Sequence, residues 1–463
     1  MRARVASVVF NSVLRDARVL KQAESLKKND FEINVFGIQD NNNKVRNPET
    51  SYGFDVILCD WRQNRKKLFS TKNIISLILF LLFGLAFFKL FGAPLHYIVP
   101  VSIFFVVIIF CMRFVKRIIK RKNILQNVLQ FLGKRSCLFS QIYDCLLLFR
   151  RVLLCRIWEK CLVKEILEFK PDVVHCHDLL TVPVGLAVKK ITGAKVVYDS
   201  HEVFTKLSCS TPVWEWWFRR VEEKISHKID GFITVNRSIS AYLKNEYPAL
   251  PEPVLVRNAT KIIEGDLSYD GRLHEAAGIS PDQKILLYQG GYAPHRGLVQ
   301  LVKAGGLLPE EWTLVFMGWG KLEDELRQIA AQVDPEGGRI KFVPPAPQAE
   351  LVLWSAGATL GVIPYENVSL NHWYCTPNKL WEYPAAGVPI LCSPFPELAA
   401  VIDAFGVGCL LNDPVTPEAI AEAVASLTED DLQKKIESCK QFIQKDNWGV
   451  YEQNLFGLYG ALV

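Results

Sequence analysis

The chain has 463 residues, half of them apolar, with a mean hydropathy of +0.13, 28 Gly and 24 Pro. At roughly 100–200 residues per domain this predicts two or three domains, and it excludes a disordered, collagenous or repeat protein. The net charge of +6 is unevenly placed: twelve Lys/Arg and no Asp or Glu lie between Trp61 and Lys122, so the remainder carries −6. Basic charge confined to the flanks of an apolar segment points to anionic membrane lipids and away from nucleic acid. The twelve cysteines are scattered and are expected as buried, reduced thiols. The first ten residues run into an apolar strand and lack the apolar core and cleavage site of a signal peptide.

Taken in chain order, residues 5–10 predict a strand, 15–28 a helix, and 31–37 and 56–59 two more strands. Residues 74–112 then carry a single charge, Lys89, and a break at Gly92 and Pro94 divides them into 74–91 and 95–112. Each part has about 18 residues, near the lower limit for crossing a bilayer core. Clusters of Arg and Lys at both ends favour the cytoplasmic side for both. The strands before and after this insert are predicted in one sheet, so the insert must return to its own side as a helical hairpin or re-entrant dip. The alternative is a pair of buried core helices. Residues 113–169 read as amphipathic helices, either at the membrane interface or packed on the sheet. The same two readings apply to the stretch from Trp214 to Arg220.

Beyond the insert, strands are predicted over 170–177, 194–198, 231–235 and 254–256, with a helix over 181–192. A second series follows at 285–288, 312–317, 340–343, 359–362 and 389–392. Strands alternating with helices imply an α/β protein with two doubly wound parallel sheets. Residues 1–265 form the first domain, 266–445 the second, and 446–463 a final helix that returns to the first. Ligands of such sheets bind in the cleft at the strand C-termini.

Three motifs carry chemistry. Gly290 and Gly291 end a predicted strand, and a helix follows Arg296 and Gly297; glycine admits an anion close to the backbone and Arg296 adds a bidentate donor. Gly318 and Gly320 form a similar strand-turn-helix pattern. Pro377, Asn378 and Lys379 open a predicted helix, with Glu382 a turn later placed to reach ribose hydroxyls. In the first domain His175, His177 and His201 stand at strand ends. No close-spaced partners complete a zinc set, and no Asp-x-Asp pair occurs, so no metal is expected.

These motifs resemble the retaining GT-B glycosyltransferases of glycosyltransferase family four (glycosyl transferases group 1), most specifically over residues 284–412. The resemblance implies a nucleotide-diphospho-sugar donor in the second domain. Gly290, Gly291 and Arg296 look like the diphosphate cradle, and Arg296 thereby bears on the chemical step. Pro377, Asn378 and Lys379 look like the helix start facing phosphate or sugar, and Glu382 like the ribose ligand. The base would lie near Val343 and Pro344. His177 is implied to face the transferring sugar, with His201 and Arg18 on the acceptor side. The family's paired glutamates sit eight positions apart, but eight before Glu382 stands Tyr374. The expected activity is metal- and cofactor-free transfer to a lipid-linked or glycan acceptor at the cytoplasmic face of the membrane, in polysaccharide or glycolipid synthesis. A catalytically silent membrane subunit and a sugar-nucleotide epimerase are the alternatives.

Overall fold

The computed structural model describes residues 2–14, 16–39, 52–61, 137–208, 211–262 and 268–463. The expected hairpin at 74–112 lies outside them, and among the described residues no helix is long and apolar enough to cross a membrane.

The first sheet comprises β1 (Arg4–Val8), β2 (Glu32–Ile38), β3 (Asp55–Cys59), β4 (Val173–His177), β5 (Lys195–Ser200), β6 (Gly231–Thr234) and β7 (Pro253–Leu255), in the order 3-2-1-4-5-6-7. The second comprises β8 (Lys284–Tyr292), β9 (Trp312–Gly320), β10 (Ile340–Val343), β11 (Leu360–Ile363), β12 (Ile390–Cys392) and β13 (Gly408–Leu410), in the order 10-9-8-11-12-13. Every pairing is parallel. Strands covered on both faces read as continuous buried runs, as in β4, where all five residues are buried. The strand order reverses between β1 and β4 and between β8 and β11, so each domain has a crevice where its crossovers diverge.

Helices cover both faces. Ala17–Lys28 starts at Asp16, whose side chain accepts from the Val19 N–H. The long helix Cys137–Phe169 buries Ile157, Leu162, Ile166 and Phe169 against the first sheet, while Arg150, Arg151, Arg156 and Lys160 point to solvent. Its C-terminal half therefore follows the sheet-packing reading. In the helix Pro212–Ser226, Phe218 is buried and Trp216 exposed. The helix Trp448–Leu462 returns to the first domain. The Trp448 indole N–H donates to Ser25 Oγ at 2.8 Å, and Tyr459 is buried beside His175.

Three expectations need correction. Cys59 and Cys161 form a disulfide that ties β3 to the long helix, 102 positions along the chain, whereas reduced thiols were expected throughout. Gly290 and Gly291 do not end their strand, whereas Gly320 does end β9. Gly290 and Gly291 lie in the ladder opposite Gly318 and Trp319, and pairing continues to Tyr292 and Gly320. The backbones approach too closely there for side chains: a Cβ on Gly318 would stand 2.0 Å from the Gly290 carbonyl oxygen. The strand β13 was not anticipated, because three residues beginning with glycine carry no readable period.

Candidate active site

The register sets the first half of the site. Ser7 is paired with His175, and His177 with Asp199. Side chains alternate along a strand, so Ser7, His175, His177 and Asp199 share the face that looks toward helix Ala17–Lys28. Asp199 is fully buried at their centre. Arg18 grips it through Nε and Nη2 at 3.0 and 2.7 Å, and Gln22 donates at 2.8 Å. The remaining Arg18 bonds run to the Val256 carbonyl and Asn258. Arg18 thus points inward and acts on the cleft through Asp199.

His177, expected to face the sugar, is also turned inward. It is 1 % exposed, with Nε2 3.0 Å from Ser7 Oγ and Nδ1 3.4 Å from both Asp199 and His201. His201 is the histidine that reaches the cleft, with a side chain 19 % exposed between Asp178 at 3.4 Å and Asp199 at 3.2 Å. Burial lowers its pKa, but these two carboxylates outweigh burial and raise it. Burial, with His175 alongside, lowers that of His177 to about 3. Burial pushes Asp199 up, yet Arg18 and the surrounding histidines hold it well below the usual carboxylate range.

The second half stands at the C-terminal edge of the other sheet. Gly290 has φ +114°, and a Cβ there would meet Lys379 Nζ at 3.3 Å, so only glycine lets this amine lie over the strand end. Lys379 is 8 % exposed, 3.2 Å from the Tyr365 hydroxyl and 4.8 Å over the Tyr288 ring. The Arg296 guanidinium lies 4.3 Å over the Tyr365 ring. Neither cation is paired with a carboxylate among the described residues. Two cations held by tyrosine faces and unpaired with a carboxylate among the described residues could hold an anion.

Glu382 accepts from Gln289 Nε2 at 2.9 Å, and Ser355 donates to Gln289 Oε1 at 2.6 Å. Burial raises the Glu382 pKa, opposed by the Gln289 bond and by Lys379 and Lys21. Lys379–Ala385 is the helix expected here, with exposed Asn378 at its cap and Pro377 in the turn before, where its carbonyl accepts from Leu380. Val343 ends β10, and exposed Pro344 follows it.

Direct bonds join the halves. The Val203 N–H donates to Asn371 at 2.8 Å and the Ser238 N–H to Glu397 at 2.8 Å. Tyr374 packs against the apolar cluster of the first domain, so its side chain serves the domain contact. Sequence reasoning missed Asp199, Gln289, Tyr288, Tyr365 and Asn371. Of these only Asp199, two positions before His201, carried a local signal.

Two doubly wound parallel-sheet domains of this order are the architecture of the GT-B class of sugar-transferring enzymes. Residues 271–446 match the family described as glycosyl transferases group 1, and residues 140–258 match glycosyltransferase family 4. The chain is a glycosyltransferase of GT-B type with a group 1 domain and a family 4-like domain. A D-inositol 3-phosphate glycosyltransferase from Corynebacterium glutamicum is 24 % identical over 314 residues, 63 % of this chain and 72 % of that protein. One from Nocardioides sp. is 27 % identical over 282 residues, 56 % of this chain and 60 % of that protein. By structure the chain is similar to a sucrose-phosphate synthase from Thermosynechococcus elongatus, with TM-score 0.66, 14 % identity and coverage of 100 % and 99 %. It is also similar to Anabaena HepE in complex with UDP and glucose, with TM-score 0.62, 12 % identity and coverage of 99 % and 100 %.

Proposed function

We propose that the enzyme transfers a sugar, with retention, from a nucleotide-diphospho-sugar to a lipid-linked or glycan acceptor at the cytoplasmic face of the membrane. The observation that carries the donor half is Lys379 beside Gly290 and Arg296 over the Tyr365 ring, neither paired with a carboxylate among the described residues. Together they supply the positive charge that a diphosphate leaving group needs as the glycosidic bond breaks. Glu382, oriented by Gln289, is placed for the ribose hydroxyls, and Val343 and Pro344 flank the base. The HepE complex with UDP and glucose supports this class of donor. On this reading the diphosphate charge is met by side chains, and the departing phosphate takes the acceptor's proton. His201 stands where an acceptor hydroxyl would approach, with Arg18 and His177 holding the Asp199 carboxylate behind it.

The lipid acceptor rests on the basic-flanked apolar segment at 74–112, which confines enzyme and acceptor to one surface. The names of the inositol phosphate glycosyltransferases support a second reading, a soluble phosphorylated polyol as acceptor. Incubating the purified protein with labelled nucleotide sugars, lipid extract and inositol phosphate separates these outcomes. Label in lipid supports the first reading, and label in a soluble phosphosugar the second. An altered free nucleotide sugar means an epimerase, and no product means a silent subunit.

A further inference from the structure

We propose that Trp319 is the platform on which the donor's nucleobase stacks. This rests on the donor site proposed above and adds to it the side chain that touches the base. The strand ladder places the residue. β9 pairs with β10 only as far as Met317, opposite Val343, but runs on beside β8 to Gly320. Gly318, Trp319 and Gly320 therefore stand past the end of β10, and the indole is the one side chain among them. A Cβ on Gly318 would lie 2.0 Å from the Gly290 carbonyl oxygen, and one on Gly320 2.4 Å from that of Tyr292. Glycine at both positions keeps this extension tight against β8 and leaves Trp319 to project from it.

Alternation along the strands gives the face. Gln289 and Gly291 on β8, Met317 and Trp319 on β9, and Val343 on β10 share one side of the sheet. On that side Glu382, the proposed ribose ligand, accepts from Gln289 at 2.9 Å. Trp319 lies one step further toward the C-terminal edge. In the sheet order 10-9-8 it stands between the cradle strand and the end of β10, where Val343 and exposed Pro344 flank the base. Gly291 is its cross-strand partner, and a Cβ there would meet nothing within 4 Å, so the space beside it is open.

The ring itself is uncovered. Trp319 is 54 % exposed, and among the described residues no aromatic ring or cation lies against it. Other tryptophans at the surface are differently placed: Arg220 lies 5.4 Å over exposed Trp216, and Arg272 lies 5.9 Å over half-buried Trp354. A large apolar ring left bare at the mouth of a nucleotide site gains by covering its face with another flat ring. Every nucleobase offers such a face, so the contact binds purine and pyrimidine alike and supplies affinity rather than base identity.

Calorimetric titration of the full chain with UDP, GDP and inorganic diphosphate tests this, comparing the parent with Trp319→Ala and Trp319→Phe. At so exposed a position neither substitution is expected to move the thermal transition. Trp319→Ala should weaken UDP and GDP about tenfold or more, the usual worth of a base stacked on an aromatic ring, and leave inorganic diphosphate unchanged. Trp319→Phe keeps a smaller ring and should recover part of the loss. Equal UDP and GDP affinities in the parent and Trp319→Ala would overturn the stacking and leave the cradle standing. A loss that fell equally on inorganic diphosphate would overturn it too, because the base would not be what the indole touches. A parent chain that bound none of the three would overturn the donor site and this inference together.

Discussion

Asn236 of the first domain donates through Nδ2 to the Tyr374 carbonyl of the second at 2.7 Å, while its Oδ1 caps the following helix by accepting from the Ile239 N–H at 2.8 Å. One side chain thus starts a helix and clasps the segment leading to Lys379. Asn236→Asp keeps the cap and removes the donor. At this fully buried position the carboxylate faces the Tyr374 carbonyl with no proton to donate, so stability is expected to fall by about 1–3 kcal/mol and the donor KM to rise about fivefold. Steady-state kinetics beside a urea melt check this. An unaltered KM would mean the clasp has no part in closing the cleft.

Arg296→Ala and Lys379→Met each remove a cation from the proposed cradle. Methionine keeps most of the buried lysine stem, so folding is expected to survive. Turnover should fall by about 100-fold or more, because charge on the leaving group loses its preorganised partner. Single-turnover assays with saturating donor separate this from weaker binding. Wild-type turnover in either variant would remove that residue from the site.

Glu382→Gln takes away the charge that Gln289 orients. Nucleotide affinity is expected to fall about tenfold, as for loss of a charge-assisted hydrogen bond. Gln289→Ala, which frees the Glu382 carboxylate, should produce part of that loss. Calorimetric titration with the nucleotide diphosphate measures both, and equal affinities across the three proteins would count against a ribose contact.

Glu222, on the buried face of the helix Pro212–Ser226, is 2 % exposed, with the Tyr198 hydroxyl at 3.4 Å. Burial raises its pKa from 4.5 to about 7, against the lowering effect of bonds from Tyr247 and Tyr198. Between these values the folded chain keeps a proton that the unfolded chain has lost. Stability from this group is therefore fully present below about pH 4.5 and declines as pH rises through about 7, by roughly 3 kcal/mol in all. Urea melts at pH 5 and pH 8 should show the decline in the parent protein and a smaller one in Glu222→Gln. Parallel pH dependences would show that Glu222 is not the group responsible.

Much of the architecture was legible in the one-dimensional pattern. Short apolar runs such as 285–288 coincide with strands because a parallel strand buried on both faces has little choice of residue. The clustering of Gly290, Arg296, Lys379 and Glu382 could be anticipated for a related reason: parallel topology brings all strand C-termini to one edge. Pairing across strands was less accessible. Gly290 and Gly318 looked like turns because local spacing does not show that two backbones touch.

The chain's own order of residues determined its two sheets, its cleft and the edge on which a phosphate-binding cluster would sit, because periodicity and glycine placement act over a few neighbours. Only the folded arrangement decided which groups surround His175, His177 and His201. Asp199 lies 22 positions beyond His177, yet the β4–β5 register makes them neighbours and helix Ala17–Lys28 delivers Arg18 to the same carboxylate. It likewise buried His177, gave Tyr374 to the domain contact, and left Lys379 without a paired carboxylate among the described residues. Charge and hydrogen bonding depend on distance through space, and a strand crossover erases separation along the chain.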